Sequence, residues 1–221
     1  MSKWTSALKK SLIGNPNGLY MVENSTFLSY QDIYIRAKKL SEMLVNQETK
    51  VVSCLLTNSF EYIILFLACA FSGKIFAPIP YFLNVSEVKK ILKYHESKVL
   101  FKDRKDIEFK GKVFGSTYIF NILEEKINLK TSADFLTTDD TIMSLYYSSG
   151  TTGNPKGVLY SHKNIYSLIR SICNDFKFSK DSKHLAFLPF GHTAALNYSV
   201  FPALFLGFNL YISQHFDNIR S

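Results

Sequence analysis

Apolar residues recur along the chain in two alternating patterns, short continuous runs and helical repeats. From Tyr30 to about Gln47 the repeat has the spacing of an amphipathic helix, and Ser29 followed by Asp32 resembles a capping box. The apolar face of this helix consists of Ile33, Ala37, Leu40 and Leu44. Residues 51–56 form a short apolar run that is β-branched at its start, which predicts a buried strand.

The same alternation continues over the next fifty residues. Asn58 or Ser59 can cap a second, largely buried helix that ends at Gly73. Residues 75–79 then predict a strand. Ser86 opens a third helix, and residues 98–101 form a further strand. Apolar strands that alternate with helices are typical of a mixed, largely parallel sheet flanked by helices. The predicted fold class is therefore α/β.

The second half of the chain is less regular at first. Residues 102–140 predict a variable connection with some local helix around 119–126, followed by a strand over 141–147 and a helix over 162–176. Residues 185–216 contain no Asp, Glu, Lys or Arg. Because prolines, glycines and polar residues interrupt this stretch, it predicts a buried strand, helix and strand, with a membrane span as the alternative.

Composition and charge narrow the functional class. The 221 residues are 47% hydrophobic and 20% charged, as in globular proteins, and the net charge of +8 suits an anionic partner. Acidic residues interrupt the basic ones, as over residues 102–106, which argues against nucleic acid or a membrane surface as that partner. Cysteines are few and far apart, and no apolar segment follows the N-terminal charges, so a cytoplasmic location is expected.

The most informative segment is residues 148–157, Ser-Ser-Gly-Thr-Thr-Gly-Asn-Pro-Lys-Gly. Its glycines, Gly150, Gly153 and Gly157, allow positive φ and close approach to a ligand, and successive N–H groups can form a nest for anionic oxygens. Neutral donors come from the hydroxyls of Ser148, Ser149, Thr151 and Thr152, and Lys156 adds the positive charge that a polyphosphate requires.

A flexible linker and a Walker A loop are the two alternative interpretations of this segment. A flexible Gly/Ser/Thr linker has a similar composition, but it need not follow a buried strand or place one lysine after a proline between glycines. The Walker A loop requires Gly-Lys at its end, whereas this chain has Lys156 before Gly157. Elsewhere, Ser161 and His162 are adjacent and have no evident carboxylate partner, so they do not predict a hydrolase.

Gly-Thr-Thr-Gly-x-Pro-Lys-Gly over residues 150–157 resembles the phosphate loop of the AMP-forming adenylating enzymes, which include acyl-CoA synthetases, peptide-synthetase adenylation domains and luciferases. Residues 28–30 resemble the family's "TY" start, and residues 58–78 its N-x-x-E-F stretch, although Phe60 and Glu61 are inverted. Residues 188–192 resemble the family segment that ends in a histidine beside the acyl pocket.

The resemblance implies a reaction and a set of site residues. An ATP-dependent ligase would activate a small carboxylic acid as an acyl-adenylate and pass it to CoA or a carrier thiol. Its metal would be Mg²⁺, whose protein ligands in the family lie mostly in segments that this chain does not contain. Among the ATP-binding residues, Lys156 and Thr152 would be catalytic, and His192 would border the acyl pocket. The acyl-CoA synthetase branch would place the chain in fatty acid metabolism. The ATP-binding set is Ser148, Ser149, Gly150, Thr151, Thr152, Gly153, Lys156 and Gly157.

The resemblance covers only the N-terminal portion of the family's length. It implies a complete α/β subdomain over residues 51–171 and part of a second subdomain over residues 1–50 and 181–221, with a C-terminal remainder or partner chain to complete it. The strand near residues 208–212 is then expected to be an unprotected edge. The chain alone is expected to bind ATP weakly without turnover. The alternative is a non-catalytic fragment that binds a nucleotide or another polypeptide.

Overall fold

The chain forms two β-sheets and a set of helices that pack on and between them. The computed structural model describes residues 1–122, 137–148 and 156–214. The strands are β1 (Gly18–Met21), β2 (Phe27–Ser29), β3 (Val51–Leu55), β4 (Ile75–Pro78), β5 (Val99–Lys102), β6 (Lys112–Phe114), β7 (Ile142–Ser148), β8 (Lys156–Ser161), β9 (Lys183–Ala186) and β10 (Asn209–Ile212). The helices are α1 (Lys3–Leu12), α2 (Tyr30–Val45), α3 (Phe60–Ser72), α4 (Val85–His95), α5 (Ser116–Asn121), α6 (His162–Asp175), α7 (Thr193–Ala195) and α8 (Phe201–Leu206).

The large sheet has the strand order β6-β5-β3-β4-β7-β8, and the small sheet has the order β2-β1-β10-β9. Neighbouring strands run parallel except at the β7–β8 and β1–β2 pairs, which are antiparallel. The expected fold class, a mixed and largely parallel sheet flanked by helices, is confirmed.

Strand β10 is not the exposed edge that the sequence suggested. It pairs with β1 on one side, where Leu19 lies opposite Leu210, and with β9 on the other, where His184 lies opposite Leu210. The expectation was wrong because β1 is only four residues long and gives no clear periodic signal, so the strand that covers β10 was not foreseen. The edges of the small sheet in the described chain are β2 and β9.

The boundaries of the predicted elements follow local capping chemistry. Helix α2 begins after Ser29, whose side chain forms the expected capping box with Asp32. Helix α4 begins earlier than predicted, because Asn84 rather than Ser86 supplies the N-cap and pairs with Glu87 in a capping box. Helix α1 and the strands β1, β2, β6 and β8 were not predicted. Most of them are short, and the apolar residues of β8, Val158 and Leu159, are exposed, so this strand does not follow the buried-strand pattern.

Helix α3 is buried on every side. No residue from Tyr62 to Phe71 exposes more than 2% of its surface. The Phe66 ring packs edge-on against Phe76 of the large sheet at 5.6 Å and stacks on Phe201 of α8 at 4.6 Å. The helix therefore fills the space between the large sheet and the helices that cover the small sheet. No helix of the described residues combines the length and apolar character needed to cross a membrane.

Asn58 connects the two sheets at the start of α3. Its buried side-chain amide donates to the carbonyl oxygens of Leu188 and Ser213, both at 3.0 Å, and its Oδ1 accepts from the Phe190 N–H at 2.8 Å. These partners follow β9 and β10, whereas Asn58 follows β3. One side chain thus satisfies three backbone groups from distant parts of the chain.

We expect Asn58→Ala to lower the free energy of unfolding by about 2–4 kcal/mol, because it leaves buried backbone groups without partners. Denaturant unfolding followed by circular dichroism measures this change. The matched control is Asn46→Ala, since Asn46 is exposed and its side chain makes one hydrogen bond, to the Glu42 carbonyl. Equal stability of the two variants would contradict the role assigned to Asn58.

Candidate active site

The motif over residues 148–157 lies on the β7–β8 hairpin. Ser148 is paired with Lys156 across the two strands, and Tyr147 is paired with Gly157. The antiparallel ladder therefore holds both ends of the connection side by side, with Lys156 as the first residue of β8 and its side chain exposed. Ser149, Gly150, Thr151, Thr152 and Gly153 lie outside the described residues, as does the side chain of Ser148, and their predicted phosphate contacts stay predictions.

Gly157 does not use the positive φ that the sequence suggested. It lies within β8, and the described glycines with positive φ are Gly14, Gly73 and Gly207. The structure gives a different reason for this glycine. A Cβ atom at Gly157 would lie 2.9 Å from Leu145 Cδ1 and 3.6 Å from the Tyr147 ring. A side chain at this position would therefore touch the Tyr147 ring and displace the end of the Leu145 side chain.

Tyr147 is the last described side chain of β7, and it packs on a buried histidine. The His95 ring lies 5.3 Å from the Tyr147 ring at an angle of 32°. His95 Nδ1 in turn lies 2.7 Å from the Ser53 hydroxyl of β3. Burial lowers the pKa of His95 to about 4, so the imidazole is neutral near pH 7. His95 therefore packs in the interior as a neutral ring beneath Tyr147.

A second buried histidine fixes the other end of the hairpin. His162 follows β8 directly, and its Nδ1 lies 2.9 Å from the Ser2 hydroxyl and 3.3 Å from the Thr5 hydroxyl of α1. Burial lowers the pKa of His162 to about 4, although the Asp139 carboxylate acts in the opposite direction. The Ser161 hydroxyl caps α6 by accepting the Asn164 N–H, so Ser161 is used for capping and forms no pair with its neighbour.

The connection after β4 leaves the large sheet beside the motif. Strands β4 and β7 are parallel neighbours, so residues 79–82 and the connection after Ser148 emerge at the same edge. In open α/β sheets, ligands bind at the carboxyl ends of the strands, in the crevice that the connections form. Residues 79–82 and the end of β7 therefore lie where the fold places a ligand.

The segment over residues 187–192 reaches this edge from the small sheet. The Phe190 carbonyl accepts a hydrogen bond from the Tyr62 hydroxyl at 2.7 Å. A Cβ atom at Gly191 would lie 2.5 Å from Pro80 Cα, so only glycine permits this approach. The exposed ring of His192 then stacks on Phe82, with the ring centres 5.5 Å apart. The structure thus places His192 against the connection after β4.

Sequence reasoning missed Phe82, Pro80 and Tyr147 as parts of this arrangement. Residues 78–80, Pro-Ile-Pro, stand directly at the end of a buried strand, which is a signal for a rigid connection at the carboxyl edge. The contact of Gly191 with Pro80 joins residues more than a hundred positions apart, and no local pattern reveals it.

A model of the AMP-binding enzyme family matches residues 9–221. The chain belongs to the AMP-binding enzyme family. The match includes the motif at residues 148–157, the connection after β4 and the segment that ends in His192, so all three parts of the site lie within the family domain.

Relatives in this family include ligases and peptide synthetases. The chain is 26% identical over 214 residues to the mitochondrial malonate–CoA ligase of Xenopus laevis, with 89% of this chain and 37% of that protein covered. It is 25% identical over 215 residues to the 2-succinylbenzoate–CoA ligase of Bacillus licheniformis, with 95% and 45% covered. The chain therefore spans less than half the length of these relatives.

Solved structures share the fold. The crystal structure of ATP-bound MatB from Rhodopseudomonas palustris aligns with a TM-score of 0.84 at 21% identity, over 99% of this chain and 47% of that one. The inhibitor-bound N-terminal domain of FACL13 from Mycobacterium tuberculosis aligns with a TM-score of 0.82 at 22% identity, over 100% of this chain and 59% of that one. These likenesses show that this AMP-binding domain has the architecture of N-terminal adenylating-enzyme domains.

We expect Gly191→Ala to destabilise the domain by about 1–3 kcal/mol, because the added Cβ would lie 2.5 Å from the backbone atom Pro80 Cα. Urea unfolding measures the change. The control is Gly115→Ala, where the added Cβ would lie 3.5 Å from Asp103 Oδ1, an ordinary contact, so this variant should cost less than about 1 kcal/mol. A Gly191→Ala variant as stable as the unchanged protein would contradict the close approach of Gly191 to Pro80.

The two buried histidines predict a loss of stability in mild acid. An unfolded histidine titrates near pH 6.5, whereas His95 and His162 titrate at about 4 in the folded chain. Between these values the unfolded chain binds more protons, so the free energy of unfolding falls as the pH is lowered, by up to about 1.4 kcal/mol per pH unit for each histidine.

Urea unfolding between pH 7 and pH 4.5 measures this dependence on pH. The variants His162→Gln and His95→Gln should each show a shallower slope than the unchanged chain, since glutamine does not titrate. An unchanged slope in both variants would show that other groups cause the acid sensitivity.

Proposed function

We propose that the chain provides the ATP-binding part of an AMP-forming ligase that activates a carboxylic acid as an acyl-adenylate and passes it to CoA or a carrier thiol. The observation that supports this most strongly is that Ser148 and Lys156, which flank the rest of the motif, are paired where β7 ends at the carboxyl edge of the large sheet. Membership of the AMP-binding family and the ligase names of several relatives support it as well.

The donor set of the hairpin suits a polyphosphate. Lys156 supplies an ammonium group at the first position of β8, and Ser148 stands opposite it across the ladder. Hydroxyls at Ser149, Thr151 and Thr152 and glycines at Gly150 and Gly153 complete the motif between these two residues. A cation with several neutral donors on a short connection is the chemistry that phosphate oxygens require.

The residues of this chain would act by positioning and charge. ATP supplies the α-phosphorus that the substrate carboxylate attacks as pyrophosphate leaves. Lys156 and Thr152 would hold the departing phosphate oxygens and stabilise the negative charge that builds on them. The motif contains no nucleophile of its own, so its contribution is a fixed arrangement of donors. Gly157 and Tyr147 keep the hairpin that carries Lys156 in register.

His192 is proposed to border the pocket for the carboxylic acid. Its exposed ring is held against Phe82, next to the point where residues 79–82 leave the large sheet. The two rings offer a flat, largely apolar wall at the same edge as the motif. The sequence does not specify the acid or the thiol acceptor, and roles in fatty acid metabolism and in the cytoplasm stay predictions.

Mg²⁺ is given no step in this scheme. The described residues include no group of three or more His, Cys, Asp or Glu that could hold a metal ion. Mg²⁺ would therefore be held mainly by the phosphates of ATP, as is usual for this ion in nucleotide-binding sites. The alternative function, a fragment that binds a nucleotide without catalysis, stays a prediction. Carboxylate-dependent ATP–pyrophosphate exchange by the purified chain would exclude this alternative.

Isothermal titration with ATP tests the proposed site. We expect Lys156→Ala to weaken binding roughly tenfold or more, because it removes a charge-assisted hydrogen bond to phosphate, and Gly150→Val to weaken it as well. The control is Lys163→Ala, another exposed lysine close in sequence, which should bind ATP like the unchanged chain. Unchanged affinity in both site variants would overturn the proposal.

A further inference from the structure

A cavity of about 570 Å³ lies at the opposite end of the small sheet from the candidate active site. Its lining residues include Asn17, Gly207 and Lys180, which precede the parallel strands β1, β10 and β9 respectively. The cavity is therefore at the amino ends of these strands, whereas residues 187–192 follow the carboxyl end of β9. Cavities of 300–1,000 Å³ are large enough for small-molecule ligands.

An aromatic wall forms one side of this amino-end cavity. Phe205 of α8 and Tyr166 of α6 both line it, and their rings meet edge to face at 6.0 Å. Phe205 also lies 6.2 Å from the Trp4 ring at an angle of 14°, and Trp4 is fully buried. Because rings from three helices support one another, the wall is preformed, and its two nearly perpendicular rings offer an angled apolar surface to a ligand.

The charges around the amino-end cavity are all positive. Lys10 of α1 and Lys180 line it and are exposed, and the Arg170 guanidinium lies over the Tyr166 ring at 5.6 Å. No Asp or Glu is among its described lining residues. Neither lysine forms an ion pair within the described chain. An anion in the cavity would therefore meet attraction without an acidic competitor.

The ends of helices α1 and α8 also reach this cavity, and their carbonyl groups would by themselves repel an anion. Side-chain amides offset this effect. Asn15 Nδ2 donates to the carbonyls of Ser11 at 2.9 Å and Gly207 at 3.2 Å, and Asn17 Nδ2 donates to Gly207 at 3.0 Å. Lys10 lies in the last turn of α1 and also complements that helix end, but Lys180 belongs to no helix. Helix capping therefore does not explain why Lys180 lies at the cavity.

We propose that the amino-end cavity binds a small organic anion with a flat apolar body. The body would pack in the angle between the Phe205 and Tyr166 rings, and the anionic group would face Lys10 and Lys180. This site is separate from the phosphate motif, so the inference does not depend on the proposed ligase function.

Ligand-detected NMR with 2-naphthalenesulfonate tests the proposal on the full chain. This probe has the flat body and a permanent charge, and it cannot be adenylated. We expect the sulfonate to bind and ATP not to displace it. The neutral analogue 2-naphthalenesulfonamide should bind more weakly. The double variant Lys10→Glu/Lys180→Glu should bind the sulfonate roughly tenfold more weakly.

The matched control is Lys89→Glu/Lys90→Glu, which makes the same change in net charge on the exposed face of α4. It should bind the sulfonate as the unchanged chain does. A second variant, Tyr166→Ala, should weaken the sulfonate and the sulfonamide alike, with circular dichroism to confirm that it folds. Absence of sulfonate binding at millimolar concentration, or an equal loss in the two double variants, would overturn the proposal.

Discussion

Helix α3 has no face in contact with water, and the relative position of the two sheets depends on this burial. A helix that is apolar on all sides can be stable in a water-soluble domain only when other elements cover it completely. Here the large sheet covers one side through Phe76, and α8 covers another through Phe201. Removing either cover would expose a large apolar surface, so the two halves of the chain are held together by the hydrophobic effect.

The polar groups at the start of α3 turn this apolar contact into a specific one. Burial alone would allow the two sheets to slide, because the hydrophobic effect has no direction. Asn58 and the Tyr62 hydroxyl instead bind particular backbone groups between Leu188 and Phe190, and both are buried. The segment that carries His192 is thereby anchored before it reaches Phe82. The position of a candidate substrate-binding residue thus follows from hydrogen bonds at a helix terminus.

Local signals in the sequence predicted the central elements well. The capping box at Ser29 and the apolar run of α3 each depend on residues close together, and the structure has both. The phosphate motif was likewise evident from adjacent residues. Elements that depend on distant partners were not predicted. Strand β1 is short and is defined by its pairing with β10, and Asn58 bonds residues 130 and 155 positions away. Gly191 shows the same limit, because the requirement for glycine there comes from the backbone of Pro80, more than a hundred positions away.

Hydrogen exchange on the 221-residue chain, with and without ATP, tests the central claim most directly, since it locates a ligand without assuming a reaction. The account predicts slower exchange in peptides that span residues 144–160, where the β7–β8 hairpin carries Lys156, and unchanged exchange in peptides from α1 and β9. ATP-dependent protection confined to the small sheet, or no protection at saturating ATP, would contradict the assignment of this hairpin as the phosphate site.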